Sequence, residues 1–295
     1  LVTNEGKVSV TGEQGVGIYA ADSSIAKNTG TIEIGTKGTG IYAENDLKVN
    51  GNKTAISINK DINVTNNGTI EAKENSSGVY GIYAKNDQAN YSNASSTVTH
   101  SGNIDVAKST SSVGIYTEHG KLTSSGSIAV GKDSVGISAK NSEVELGENA
   151  SINASSAVGI LIKDGKLKSK ANLTVKDGVG LDIEQSDVDI EKGMYTLNKS
   201  TAFKIGALDS KKFKGNAGTI KITGKGSVAY YLKNANLASN SNFMDALTVN
   251  SDDSYVYFYA EDSTLNYENQ KTINNDGTTL IYSKNSDIIL KENTN

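Results

Sequence analysis

The chain has 295 residues, 36% hydrophobic and 21% charged, with a formal net charge of −4. Its 29 basic residues are all lysine and are outnumbered by 33 acidic ones, which excludes the basic surface that nucleic acid binding requires. No run of 18 apolar residues reads as a membrane-spanning helix. The absence of cysteine excludes disulfides and thiolate chemistry.

Taken in chain order, the sequence offers one short alternating run after another. "GKVSV" (Gly6–Val10) comes first, then "GVGIYA" (Gly15–Ala20), then "SSIAK" (Ser23–Lys27). The same order returns as "GTIEI" (Gly30–Ile34), "GTGIYA" (Gly38–Ala43) and "DLKV" (Asp46–Val49). "KTAISINKDINV" (Lys53–Val64) reads as a further short copy of Gly38–Val49. Later copies include "GTIEA" (Gly68–Ala72), "YGIYA" (Tyr80–Ala84), "VGIYT" (Val113–Thr117), "VGISA" (Val135–Ala139) and "SDVDI" (Ser186–Ile190). Alternation with period two predicts half-buried strands, and the Gly, Asn, Asp and Ser between them predict turns. No stretch carries helical periodicity.

The motif glycine falls at Gly17, Gly40, Gly81, Gly114, Gly136, Gly159 and Gly180, and its place is taken later by Ala202, Ala229, Tyr257 and Leu280. Three strands in each repeat of roughly 22 residues predict an all-β chain wound as a parallel β-helix, because one coil buries its apolar side only by stacking on the next. Some 12 coils are expected, roughly 55–60 Å at one strand spacing per coil. Parity along the strand points Val16, Ile18 and Ala20 inward and Gly17 and Tyr19 outward. The Ile18 position is apolar throughout: Ile41, Ile82, Ile115, Ile137, Ile160, Leu181, Phe203, Tyr230, Phe258 and Ile281. Tyr19, Tyr42, Tyr83 and Tyr116 form an outward ladder covering bare backbone at the glycines. The ladder lapses at Ser138, Leu161, Asp182 and Lys204 and resumes at Tyr231, Tyr259 and Tyr282. Five residues past the glycine stands a turn position holding Asp22, Asn45, Asn86, His119, Asn141, Asp164, Gln185, Asn234, Asp262 and Asn285, residue types that tolerate left-handed backbone in most of these cases.

The repeated "GxGIYAEN" and "GTIEIG" phrases, without Cys or Pro, resemble the passenger domain of a bacterial autotransporter of the type V secretion pathway, above all the large fusobacterial outer-membrane adhesins. The resemblance covers essentially the whole chain. It implies a right-handed β-helix displayed on the surface of a Gram-negative bacterium and anchored by an outer-membrane β-barrel. On this reading residues 1–295 are one segment of a longer passenger, attaching to a host-cell or bacterial surface protein or glycan. "GSIAVGKDSVGISAK" (Gly126–Lys140) also resembles the head repeat of trimeric autotransporter adhesins, though those repeats run shorter.

No enzyme is expected, and no catalytic, cofactor or metal residues are assigned. His119 fills a turn position, and His100 falls in a polar insertion. "GEQGVG" (Gly12–Gly17) precedes a strand rather than the helix that a phosphate loop needs. The pairs Asp187 and Asp189, and Asp252 and Asp253, lack the apolar surround that raises one carboxyl of a glycosidase pair, and a lyase would want an arginine. The period breaks near 87–101, 209–216 and 234–253, where protruding loops are expected. The partner-binding candidates are therefore Tyr91 in the first insertion, Lys211, Phe213 and Lys214 in the second, and the ladder Tyr19, Tyr42, Tyr83 and Tyr116. The alternatives are a passive stalk presenting a distal tip and, further off, a carbohydrate-active β-helix enzyme.

Overall fold

The computed structural model describes residues 1–21, 23–45, 61–86, 96–206, 213–215, 217–237, 247–267 and 276–290, and of Lys214 the backbone. The chain visits three sheets in turn: sheet A at Val2–Asn4, sheet B at Lys7–Val10, sheet C at Val16–Ala21, then sheet A again at Ile25–Asn28. Sheets A, B and C collect 9, 10 and 11 described strands. In the last coils a three-stranded sheet D (Asn236–Leu237, Thr264–Tyr267, Asp287–Leu290) replaces sheet A. Neighbouring strands pair in parallel, one coil on the next, giving a β-helix of about 10 turns with about 24 residues per turn. No helix occurs among the described residues.

The core follows the alternation. Ile18 pairs with Ile41, and the column continues through Ile82, Ile115, Ile137, Ile160, Leu181, Phe203, Tyr230 and Phe258 to Ile281, in the expected register throughout. Its members from Ile18 to Phe258 are buried. Sheet B faces them with Ile32, Ile70, Ile104, Ile128 and Ile152, and sheet A with Val64, Val98, Leu122, Val144 and Leu167.

Three expectations need correction. The short copy expected at Lys53–Val64 lies largely outside the described residues, and sheet C leaves no place for it as a rung: Thr39–Asn45 pairs directly with Tyr80–Asn86, and Ile62–Asn66 belongs to sheet A beside Ile25–Asn28. Among the described residues sheet C thus has eleven rungs, where some twelve coils were expected. Second, parity fails at the motif glycine. Val16 is 39% exposed, and a Cβ on Gly17 would sit 2.6 Å from Ile32 Cγ2, inside the helix. Ala202, Ala229 and Tyr257, which hold this position later, are fully buried. The glycine is a corner, where the strand turns in while bare backbone passes close to sheet B. Third, the insertion expected at 87–101 is shorter, because Ser96–His100 is a full strand of sheet A.

A Cβ on Gly114 would lie 2.5 Å from the Gly136 carbonyl oxygen and 2.7 Å from Ile128 Cγ2. Gly114→Val is therefore expected to destabilise by about 1–3 kcal/mol through overpacking, read as a lowered melting temperature. A glycine that merely faced solvent would accept valine without loss.

Two columns of left-handed residues turn the chain between sheets. One precedes the motif: Gln14, Lys37, Ser111, Asp133, Ser156, Asp177 and Lys199, all with φ between 50 and 59°. The other is the expected turn position, left-handed at His119, Asn141, Asp164, Gln185, Asn234, Asp262 and Asn285. Asn45 and Asn86 depart from it: they close their strands fully buried and paired in register. The serine after the turn residue locks the corner. Ser142 Oγ donates to the Lys140 carbonyl and accepts the Gly120 N–H from the coil before, and Ser186, Ser263 and Ser286 repeat the device.

Polar side chains also line one inner column of sheet A. Asn4 Nδ2 donates to Asn28 Oδ1 at 2.8 Å, and Asn28 Nδ2 to Asn66 Oδ1 at 2.8 Å. Asn66 Nδ2 lies 3.2 Å from His100 Nδ1, and His100 Nε2 lies 3.2 Å from the Ser127 carbonyl oxygen. Asn4 and Asn28 donate in addition to the carbonyls of Thr31 and Thr69, which fixes their amide orientation. His100, expected in a polar insertion, is a fully buried rung of this ladder. Because Asn66 Nδ2 is a donor, His100 Nδ1 accepts and Nε2 carries the proton. Burial pushes the imidazole below its ordinary value, against the hydrogen bonds at Ser127 and Asn66.

Candidate interaction surface

The outer face of sheet C carries three columns along the helix axis. The central one is the tyrosine ladder, stacked at 5.6 Å for Tyr19–Tyr42 and 4.9 Å for both Tyr42–Tyr83 and Tyr83–Tyr116, with interplanar angles of 14, 8 and 13°. On one side run Val16, Thr39, Tyr80, Val113, Val135 and Val158. Tyr80 closes the stack from that side, edge-on to Tyr83 at 5.5 Å and to Tyr116 at 6.4 Å. On the other run Ala21, Glu44, Lys85, Glu118, Lys140 and Lys163.

The last column ties the ladder down. The Tyr42 hydroxyl donates to Glu44, and Tyr116 OH donates to Glu118 Oε2 at 2.7 Å, while Lys140 Nζ reaches Glu118 Oε1 at 2.9 Å. Burial and the neighbouring carboxylates push the Tyr83 hydroxyl up to about 12 and those of Tyr42 and Tyr116 well above their ordinary value. Burial would raise Glu118, but its bonds to Lys140 and Tyr116 outweigh that and lower it. The later tyrosines follow only part of this scheme: Tyr259 and Tyr282 stack at 4.9 Å, but Tyr231 meets Tyr259 edge-on at 5.0 Å and donates to Glu261 of the next coil, which hydrogen bonds from Lys284 and Tyr231 hold down to about 2. Rings stacked this closely cover one another's faces. The ladder therefore presents edges to solvent and is not a platform on which sugars lie flat along its length.

Of the other expected contact residues, Tyr91 and Lys211 lie outside the described residues, as does the side chain of Lys214. Phe213 is a correction: it is 2% exposed and meets Phe203 edge-on at 5.6 Å. It belongs to an aromatic core with Tyr195, Tyr230, Tyr257 and Phe258. Phe213–Gly215 forms a strand beside Val188–Ile190, so parity turns the ring inward. Asn236–Leu237 and Leu247–Ser251 are likewise strands within the expected 234–253 insertion.

Asp187 and Asp189 are rungs of a charge ladder on the outer face of sheet A. Lys166 and Lys168 stand opposite them, Glu143 and Glu145 one coil further, and Lys166 Nζ lies 3.3 Å from Glu143 Oε1. No group of three His, Asp or Glu side chains able to hold a metal occurs among the described residues.

Segments 46–60, 87–95 and 207–212, which lie outside the described residues, all join sheet C to sheet A. At the intervening rungs that corner is a single left-handed residue such as Asn141 or Asp164. The first two leave from the neighbouring rungs of Tyr42 and Tyr83. Sequence reasoning placed the tyrosines but missed Tyr80, Glu44 and Glu118. The signal was there in "YAEN" (Tyr42–Asn45) and "YTE" (Tyr116–Glu118), since residues two apart on a strand share a face.

Compared with family models, curated proteins and solved structures, the chain matches none.

Proposed function

We propose that this chain is a segment of a surface-displayed adhesin passenger of a Gram-negative bacterium, attaching to a host-cell or bacterial surface protein or glycan. One observation carries the location of contact. The long departures from the repeat at 46–60 and 87–95 fall at one corner, on adjacent rungs, beside the densest part of the tyrosine ladder. Non-repeating chain next to rigid aromatic area is what a specific contact needs, because aromatics carry much of the energy at interfaces. The resemblance of the repeated phrases to autotransporter passengers supports the class and the surface location, and with them a β-barrel anchor in the parent protein.

The passive stalk is the second reading, favoured by the closed ring faces and the hydroxyls tied to glutamates. Binding of the labelled chain to epithelial and bacterial cells separates the two. Deleting 87–95, which leaves Asn86 alone between Lys85 and Ser96 as Asn141 stands alone between Lys140 and Ser142, is expected to cut cell binding at least fivefold with the melting temperature within a few degrees. Binding equal to wild type there, and in Tyr42→Ser with Tyr83→Ser, makes the segment a stalk. A longer deletion from Gln88 to Thr99 is not a fair test, because it removes most of the strand Ser96–His100.

A further inference from the structure

The outer column of sheet C, followed past Tyr116, reads Ser138, Leu161, Asp182 and Lys204 before tyrosine returns at Tyr231. Ser138 is the one small side chain in it among the described residues. The rings below it step at 4.9 Å. Over Ser138 one such step is left open, between the far face of Tyr116 and the side chain of Leu161, roughly 9.6 Å apart at two strand spacings of ~4.8 Å. Val135 and Val158 border this opening on one side.

On the other side the lysines part. Lys140 leans back one rung to Glu118, at 2.9 Å, and Lys163 leans forward one rung to Glu184, at 3.1 Å. The opening is thus not covered by either cation, yet both flank it, and the Ser138 hydroxyl forms its floor. Glu184 is half-exposed, so the Lys163 ammonium turns to a ligand at little cost; Glu118 is nearly buried, so Lys140 keeps that ion pair and offers the ligand its remaining N–H groups. Elsewhere in the column the corresponding space is taken: Lys204 Nζ reaches Asp182 Oδ2 at 2.6 Å across the next two rungs.

The geometry points to a binding site over Ser138 for a single pyranose ring of a glycan, one face on Tyr116 and the other on Leu161, its ring substituents toward Ser138, Lys140 and Lys163. The spacing admits one ring, since the tyrosines themselves step at 4.9 Å; the polar groups around the opening choose between a flat aromatic ring and a hydroxylated pyranose. They suit the pyranose: apolar C–H faces meet Tyr116 and Leu161, and hydroxyls or a carboxylate meet cations and a hydroxyl. This site rests on the reading of the chain as an adhesin; its rung, at Ser138, stands two rungs beyond that of Tyr83, from which 87–95 leaves.

The test is saturation-transfer NMR on the whole chain with methyl pyranosides of gluco, galacto, N-acetylglucosamine and glucuronate type, sorbitol as open-chain control and N-acetyltyrosinamide as aromatic control. At least one pyranoside is expected to receive saturation, with Kd on the order of millimolar as befits a ligand of that size, and sorbitol none. Ser138→Tyr completes the ladder, so it is expected to hold or raise the melting temperature while lowering the transfer at least fivefold. Tyr116→Ser is expected to lower it similarly, and deleting 87–95 to leave it unchanged. No transfer to any pyranoside, or transfer that survives Ser138→Tyr in a folded variant, overturns the site. Transfer to N-acetyltyrosinamide alone, lost in Ser138→Tyr, also overturns it, because the occupant is then an aromatic side chain of a protein. In either case cell binding that depends on 87–95 leaves the adhesin reading standing.

Discussion

Replacing Ile137 by aspartate is expected to cost the most of any single change in the N-terminal half. Ile137 is fully buried, in register between Ile115 and Ile160, with no cation facing it in its own column. The substitution removes packing worth about 2–5 kcal/mol, as large-to-small core changes do. It also places a carboxyl where its charge is desolvated, so it must be neutralised or unfold its surroundings. A coil touches only its neighbours, so a break at this rung separates the stacks on either side. The expected result is a melting transition lowered by well over ten degrees, or split in two. Ile137→Val, costing about 0.5–1.5 kcal/mol, is the control. An aspartate variant that melts like the valine variant contradicts the burial of this column.

The second large effect is expected at His100. Leucine there leaves Asn66 Nδ2 without its acceptor and the Ser127 carbonyl without its donor, at about 1–3 kcal/mol for each orphaned group. Asparagine should be nearly neutral, because the ladder already uses it: Asn28 accepts the Asn4 amide at Oδ1 and donates to the Thr69 carbonyl, as His100 accepts from Asn66 and donates to the Ser127 carbonyl. The histidine also makes stability depend on pH. Its folded pKa is lowered, so the fold prefers the neutral ring. Its contribution is complete above the unfolded value of about 6.5 and is lost as pH falls from there toward the folded value, by at most about 1.4 kcal/mol per pH unit. Protonation at Nδ1 would set two donors against each other at Asn66. Denaturant melts at about pH 8 and about pH 5 are expected to show wild type losing more stability than His100→Asn. Equal losses in the two proteins would remove the buried neutral imidazole from the account.

Much of the fold was legible because the repeat states it eleven times. The Ile18 column is correct from Ile18 to Ile281, and the third-run strands at Ile25–Asn28 and Asp187–Ile190 fall where alternation put them. The polar ladder was legible too, in "NEG" (Asn4–Gly6), "NTG" (Asn28–Gly30), "NNG" (Asn66–Gly68) and "HSG" (His100–Gly102), each ending a sheet A strand just before a corner glycine. Those residues read as loop because polar side chains in short runs usually are.

What the sequence determined by itself was the class of fold, the three-strand repeat (read at roughly 22 residues where the turns average about 24) and which strand faces are apolar. These depend on residues a few positions apart, and period-two alternation is a local property of the backbone. What only the tertiary structure decided were the places where local parity stops applying. Gly17 faces inward because the strand bends there and sheet B closes over it. Phe213 packs on Phe203 rather than projecting from a basic loop, since its three-residue strand is recruited by Val188–Ile190 a coil earlier. His100 is buried because Asn66 and Ser127, more than 20 residues away on either side, supply the hydrogen bonds that make a buried imidazole affordable. The opening over Ser138 exists only through register, which brings Tyr116 and Leu161 to its two sides. A corner, a cross-coil pair and a missing rung are relations between coils, and no window of sequence one coil long contains them.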